Sequence, residues 1–189
     1  RFNLLRTREA RKVADKLMQA GYRSPDAVTV YFFLKLALPF AFGGIALAAV
    51  YVFGVVELAP MMRLLVCTGA VVVGAYGPEV YLKNAITKRK ARLRKGLPDA
   101  LDLLVICAEA GQSLDGALTR VASELGSSFP DISEEIGLTA IELGLLPERR
   151  AALENLNRRT DLPGIRGVVN TLLQTEKYGT PLAQSLRVL

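Results

Sequence analysis

The chain has 189 residues, 51% of them apolar, and a formal net charge of +6. It contains no histidine, and its two cysteines, Cys67 and Cys107, have no partner at metal-ligand spacing. That excludes a disulfide framework and a structural zinc site, and it removes the commonest general base.

The apolar residues are unevenly spread. They concentrate between Tyr31 and Leu82, with basic residues on either side, and this distribution marks a membrane protein. Residues 1–30 form a basic segment holding Arg1, Arg6, Arg8, Arg11, Lys12, Lys16 and Arg23, too long and too polar for a signal peptide. Residues 31–82 read as a transmembrane helical hairpin with spans at about 34–56 and 64–82. The stretch Leu36 to Val56 has 21 residues without a charge, about 31 Å of helix, which matches a bilayer's hydrocarbon core. The second run, Leu64 to Pro78, is charge-free over 15 residues and reaches spanning length only with Glu79 to Leu82 at the interface. Only Glu57 to Arg63 separate the two runs, so the helices are antiparallel neighbours. Gly44 with Ala48, and Ala70 with Gly74, supply small-residue pairs for close approach.

Charge sets the orientation. The second span is followed by Lys83, Lys88, Arg89, Lys90, Arg92, Arg94 and Lys95 with no acidic residue among them, whereas the short loop carries only Glu57 and Arg63. Both flanks are therefore expected in the cytoplasm. Residues 83–96 read as a basic juxtamembrane helix attracted to anionic membrane lipid, and its position after a span disfavours nucleic acid as the partner. Lys35 and Glu79 fall at the cytoplasmic ends of their helices, where they can pair across the hairpin or snorkel to the headgroups.

From residue 97 the balance reverses: eight basic side chains stand against thirteen acidic ones, −5 in all. Residues 97–189 read as a cytoplasmic helical domain with clear punctuation. Pro98 opens a helix that stops at Gly111. Ser113 caps a second helix whose Leu114, Leu118, Val121 and Leu125 share one face. Residues 126–129 turn, Pro130 opens a third helix, and Pro147 opens a fourth. After a break at Leu162 to Gly164, Ile165, Val168, Val169, Leu172 and Leu173 form a stripe that ends at Gly179. Thr180 and Pro181 start a sixth helix. A shift of 68 residues superposes Leu97, Ala100, Leu101, Leu104 and Val105 on the Ile165 to Leu173 stripe, and Gly111 on Gly179. The expected fold class is all-α: a transmembrane helical hairpin plus a six-helix bundle of two similar three-helix halves. The chain opens on Arg1 and stops at Leu189 inside an apolar pattern, so it reads as a fragment of a longer protein.

The sequence offers no catalytic residue, no cofactor motif and no metal-ligand set, and it does not read as an enzyme. A phosphate-binding G-x-x-x-x-G-K-[ST] loop is absent. Asp99 and Asp102 are explained by helix-start electrostatics. What remains is charged surface for a soluble partner: Asp131, Glu134 and Glu135 on one helix, and Arg149, Arg150, Arg158 and Arg159 on the next.

The stretch LPDALDLLVICAEAGQSLDGAL at 97–118 resembles the opening of the type II secretion system F domain, and QTEKYGTPLAQSL at 174–186 resembles its closing motif. LMQAGYRSP at 17–25, with Tyr31 and Lys35 after it, is similar to the start of TadC-type platform proteins of the tight-adherence (Flp) pilus. TadB-type paralogues are the nearest alternative. The resemblance covers nearly the whole chain. It implies a bacterial inner-membrane platform for assembling type IV-like pili, a cytoplasmic secretion ATPase beneath it, pilin as cargo, a TadB-type second platform protein, a homo- or hetero-oligomer, and further spans after Leu189. Two other classes stand beside it: a membrane-anchored receptor or regulatory scaffold for another cytoplasmic partner, and a transporter subunit. Two spans without a central polar residue argue against the transporter.

Overall fold

The residue pattern produces helices throughout, and the computed structural model describes residues 2–52 and 60–178, with no strand among them. The elements are α1 (Phe2–Ala20), α2 (Ala27–Leu47) running into a π-helical turn (Ala48–Val52), α3 (Pro60–Glu109), α4 (Leu114–Leu125), α5 (Pro130–Leu145), α6 (Arg149–Thr160) and α7 (Pro163–Tyr178). The chain divides into two compact units, residues 1–86 and 87–189, and α3 contributes residues to both.

In the first unit, α1 packs on α2, and α2 pairs with the first part of α3. Two helices are long and apolar enough to cross a membrane: Ala27–Val50, and a stretch within Met61–Glu109. Their apolar side chains are largely exposed, Phe33, Leu36, Phe40, Ile45, Leu64 and Val73 among them. Soluble proteins rarely leave so continuous an apolar surface open. The α2–α3 pairing is antiparallel, because positions 35, 38 and 43 of α2 meet 79, 74 and 71 of α3 in descending order. The close approach belongs to Gly43 and Gly74 rather than to the expected Gly44. A Cβ on Gly74 would lie 2.8 Å from the Leu38 carbonyl oxygen and 2.9 Å from the Pro39 Cα, whereas a Cβ on Gly44 would meet nothing. Of the two cysteines, Cys67 is half-buried and Cys107 lies in the second unit's core; both are free thiols.

The second unit is a helical bundle in which α4 packs on α5, α5 on α6 and α6 on α7. The α3 residues 89, 93, 96, 100, 104 and 107 are all buried, and their alternating three- and four-residue steps are those of one helix face. Of these, Leu93, Ala100, Leu104 and Cys107 join Ala117, Val121 and Leu125 of α4, Ile132 and Ile136 of α5, Leu153 of α6, and Ile165, Val169 and Leu172 of α7 in one core.

Local signals set most boundaries. Gly111 adopts φ +76°, a left-handed geometry that ends α3 without a Cβ penalty. Ser113 is extended, and its Oγ accepts the Gly116 N–H at 3.3 Å to cap α4. Pro130 occupies the start of α5. Pro98, in contrast, does not open a helix. It lies inside α3, exposed, between the buried Gly96 and Ala100. Core burial on both sides of Pro98 outweighs the roughly 3 kcal/mol that an interior proline costs. Gly179 and the helix expected from Thr180 lie outside the described residues.

Candidate functional site

The unusual feature of the second unit is a set of charges inside its core. On α5 the buried stripe is Ile132, Glu135, Ile136, Thr139 and Leu143, so a carboxylate and a hydroxyl occupy positions where the helix period demands apolar groups. On α6 the buried stripe likewise ends in Arg159 and Thr160. On α3 it begins with Arg89, whose side chain is 2% exposed.

These groups satisfy one another. Glu135, 0% exposed, accepts Nη2 of Arg89 on Oε1 and Nε of Arg159 on Oε2, each at 2.8 Å. Arg159 also donates Nη1 to Glu142 Oε1 at 2.6 Å and Nη2 to Thr139 Oγ1 at 3.0 Å. Arg89 Nε lies 3.4 Å from Asp131 Oδ1, and Arg92 grips the same carboxylate through Nε at 2.6 Å and Nη2 at 3.3 Å. Arg89 Nη2 also lies 3.7 Å from Glu134 Oε2, so three guanidinium groups face four carboxylates, and α3, α5 and α6 are joined through them. The hydrogen bond from Arg92 holds the Asp131 carboxyl below its ordinary range; Arg89 adds to that effect and partial burial opposes it. Two buried oxygens, Glu142 Oε2 and Asn157 Oδ1, have no hydrogen-bond partner among the described residues.

A second ionic link joins α3 to the end of α6. Lys90 Nζ donates to Asp161 Oδ2 at 2.7 Å, and Arg166 Nη2 reaches Asp161 Oδ1 at 3.2 Å. Asp161 itself adopts φ 46°, the left-handed region that Asp enters more readily than most residues.

The seven residues expected as docking surface on two successive helices are not all at the surface. Glu135 and Arg159 are interior, bound to each other, and withdrawn from docking. Asp131 is half-buried against Arg89 and Arg92. Arg149 makes a two-toothed pair with Asp115 at 2.9 and 3.1 Å. Glu134, Arg150 and Arg158 are exposed. Arg150 pairs with Glu154 one turn on, and Arg158 donates to Asn155. The basic run after the second span is also divided: Arg89, Lys90 and Arg92 engage carboxylates, while Lys88, Arg94 and Lys95 are exposed. Sequence reasoning missed Arg89, Arg92, Asp115 and Thr139. A helical-face test would have found Arg89, which stands four residues before Leu93 and seven before Gly96.

The chain matches no family model, no curated protein and no solved structure.

In the first unit, Lys35 Nζ and Glu79 Oε2 stand 3.9 Å apart, each side chain about half exposed. At that distance the attraction is weak in water and grows as the surrounding dielectric falls. Among the described residues, no group of three or more cysteine or acidic side chains is arranged to hold a metal ion. The charges of the core network pair with one another and tie α3, α5 and α6 together.

Proposed function

We propose that the chain is a platform protein of a bacterial inner membrane that assembles a tight-adherence type IV pilus and couples a cytoplasmic secretion ATPase to extraction of pilin. The observation that carries this reading is the stretch 97–118, which resembles the opening of the secretion F domain. Its Gly111 stands at φ +76° between an ending helix and a Ser113-capped one.

Two long apolar helices with exposed apolar faces, flanked by basic residues, support membrane insertion with both flanks in the cytoplasm. The proposed bundle has six helices in two similar halves. In its favour, Ala100 and Leu104 are buried on α3, and Val168 and Leu172 are buried at the equivalent positions of α7. In this role the Arg89–Glu135–Arg159 network acts mechanically. Side-chain packing alone lets helices slide, whereas paired charges resist displacement in a low-dielectric core. A TadB-type partner or a second copy completes the platform, and the protein performs no chemistry of its own.

Cross-linking of the full-length protein in cells, with mass spectrometry of the adducts, tests this. The exposed Lys83, Lys88 and Lys95 serve as reactive points. Adducts to a secretion ATPase, a second platform protein or a pilin are expected. Adducts only to an unrelated sensor overturn the pilus reading and favour a membrane-anchored regulatory scaffold.

A further inference from the structure

Two cavities in the first unit share a wall. One is an apolar trough of about 540 Å³ bordered by Leu17, Tyr22, Val30, Leu34, Phe42 and Tyr81. The other is a smaller cup of about 290 Å³ whose wall is mainly apolar, with the charged Lys16, Glu79 and Lys83 among its lining residues. Tyr31 and Leu82 line both, so the trough and the cup are immediate neighbours. Measured along α2, the trough runs from Tyr31 to Phe42, about 17 Å of helix. Lys16 and Lys83 are exposed at the cup, and Glu79 leans toward Lys35 at 3.9 Å. The cup is thus lined by two lysines and one carboxylate, and that carboxylate has a third lysine near it. Tyr22 and Tyr81 touch hydroxyl to hydroxyl at 3.2 Å beside the trough, and tyrosines gather at the depth where headgroups meet acyl chains.

A ligand that fits both cavities has a long apolar tail and a compact anionic head. The geometry points to a binding site for one anionic phospholipid, its headgroup phosphate at Lys16 and Lys83 and one acyl chain along the trough. The proposal rests on the membrane reading above. It goes beyond general attraction of basic residues to a charged surface, because it names a groove with a defined occupant. A transmembrane helix is the competing occupant, but its width of roughly 10 Å and uniform apolar flank leave the cationic cup unexplained.

The test is native mass spectrometry of the full-length protein in detergent with equal phosphatidylglycerol and phosphatidylcholine. The wild type should retain phosphatidylglycerol preferentially. The double variant Lys16→Ala/Lys83→Ala, both exposed positions, should lose about 30-fold of that preference, from two surface charges near the headgroup. Gly77→Leu should lower retention of both lipids alike, because Gly77 borders the trough and a Cβ there meets nothing within 4 Å. Equal retention of the two lipids by the wild type, or an unchanged preference in the double variant, overturns the site. A photo-reactive residue at Leu34 should yield a lipid adduct, whereas an adduct to a protein helix overturns the proposal. Carbonate extraction of membranes separates the two readings. A chain that stays in the pellet without lipid preference loses only this site, and a chain that washes off loses the membrane reading as well.

Discussion

Glu135 is held by two guanidinium groups, and removing one of them should act differently on stability from replacing the whole buried cluster. Arg159→Met leaves a carboxylate with 0% exposure facing only Arg89, and it strips Thr139 and Glu142 of a donor. Breaking one side of such a pair costs about 3–5 kcal/mol. For a chain of this size that lowers the unfolding midpoint by roughly 6–20 °C. Replacing Arg89, Glu135, Glu142 and Arg159 together by Met, Leu, Leu and Met removes the desolvation cost with the attraction, and the midpoint should match or exceed the wild type. Thermal unfolding of the detergent-solubilised protein checks both, and a single variant that melts with the wild type would falsify the coupling. Asp131 adds a pH dependence. Its native acidity is strengthened by Arg92 and Arg89, so its contribution to stability is fully present above the unfolded value, about 3.9, and is lost as pH falls through the lower native value. Asp131→Asn should therefore be less stable than the wild type at neutral pH. The gap should persist down to about pH 4 and close only on further acidification, as read from urea midpoints across that range.

The helices themselves yield two further outcomes. Pro98 lies inside the continuous α3 at an exposed position, where it lacks a backbone N–H to donate. Pro98→Ala restores a hydrogen bond to the Arg94 carbonyl and should raise stability by up to about 3 kcal/mol; a midpoint that falls would mean the proline sets a bend the bundle requires. In the hairpin, Gly74→Ala drives a methyl against the α2 backbone at Leu38 and Pro39, atoms that cannot rotate away. It should destabilise by roughly 1–3 kcal/mol, while Gly44→Ala, facing open space, should leave the midpoint in place. These cases also show what local chemistry can and cannot tell. Gly111, Ser113 and Pro130 act through their own backbone or one hydrogen bond, so their roles were legible in the sequence. Pro98 was misread because burial of Leu93 and Leu104 on α3 overrides a local breaker. Gly43 and Gly44 are neighbours in one apolar run, and only the partner helix decides which of them is crowded.

At the scale of the whole chain, charge balance placed a boundary near Gly96, whereas the compact units part between Ile86 and Thr87. The difference is electrostatic. With the basic residues from Lys88 to Lys95 included, the second unit has fourteen cations against thirteen anions, and what looked like an acidic domain beside a basic linker is a nearly neutral body. All-helical architecture and the two apolar helices were legible because periodicity and uninterrupted apolarity are local. The core network was not, because adjacent acids such as Glu134 and Glu135 differ only in the face they occupy. This sorting also says which charges lie at the surface. Arg150 is 74% exposed and bonded only within its own helix, and Arg158 is exposed on the same α6. If the proposed platform role holds and α6 is the face that meets a secretion ATPase, Arg150→Glu with Arg158→Glu should slow association at low salt by about tenfold or more, since charges at an interface rim act mainly on encounter. The difference should shrink at high ionic strength. Unfolding should move by no more than about 0.5 kcal/mol, as for other surface changes. Binding kinetics of the purified double variant against the ATPase decide the matter: an unchanged association rate removes α6 from the interface, and a salt-sensitive loss with an unchanged melting point assigns it there.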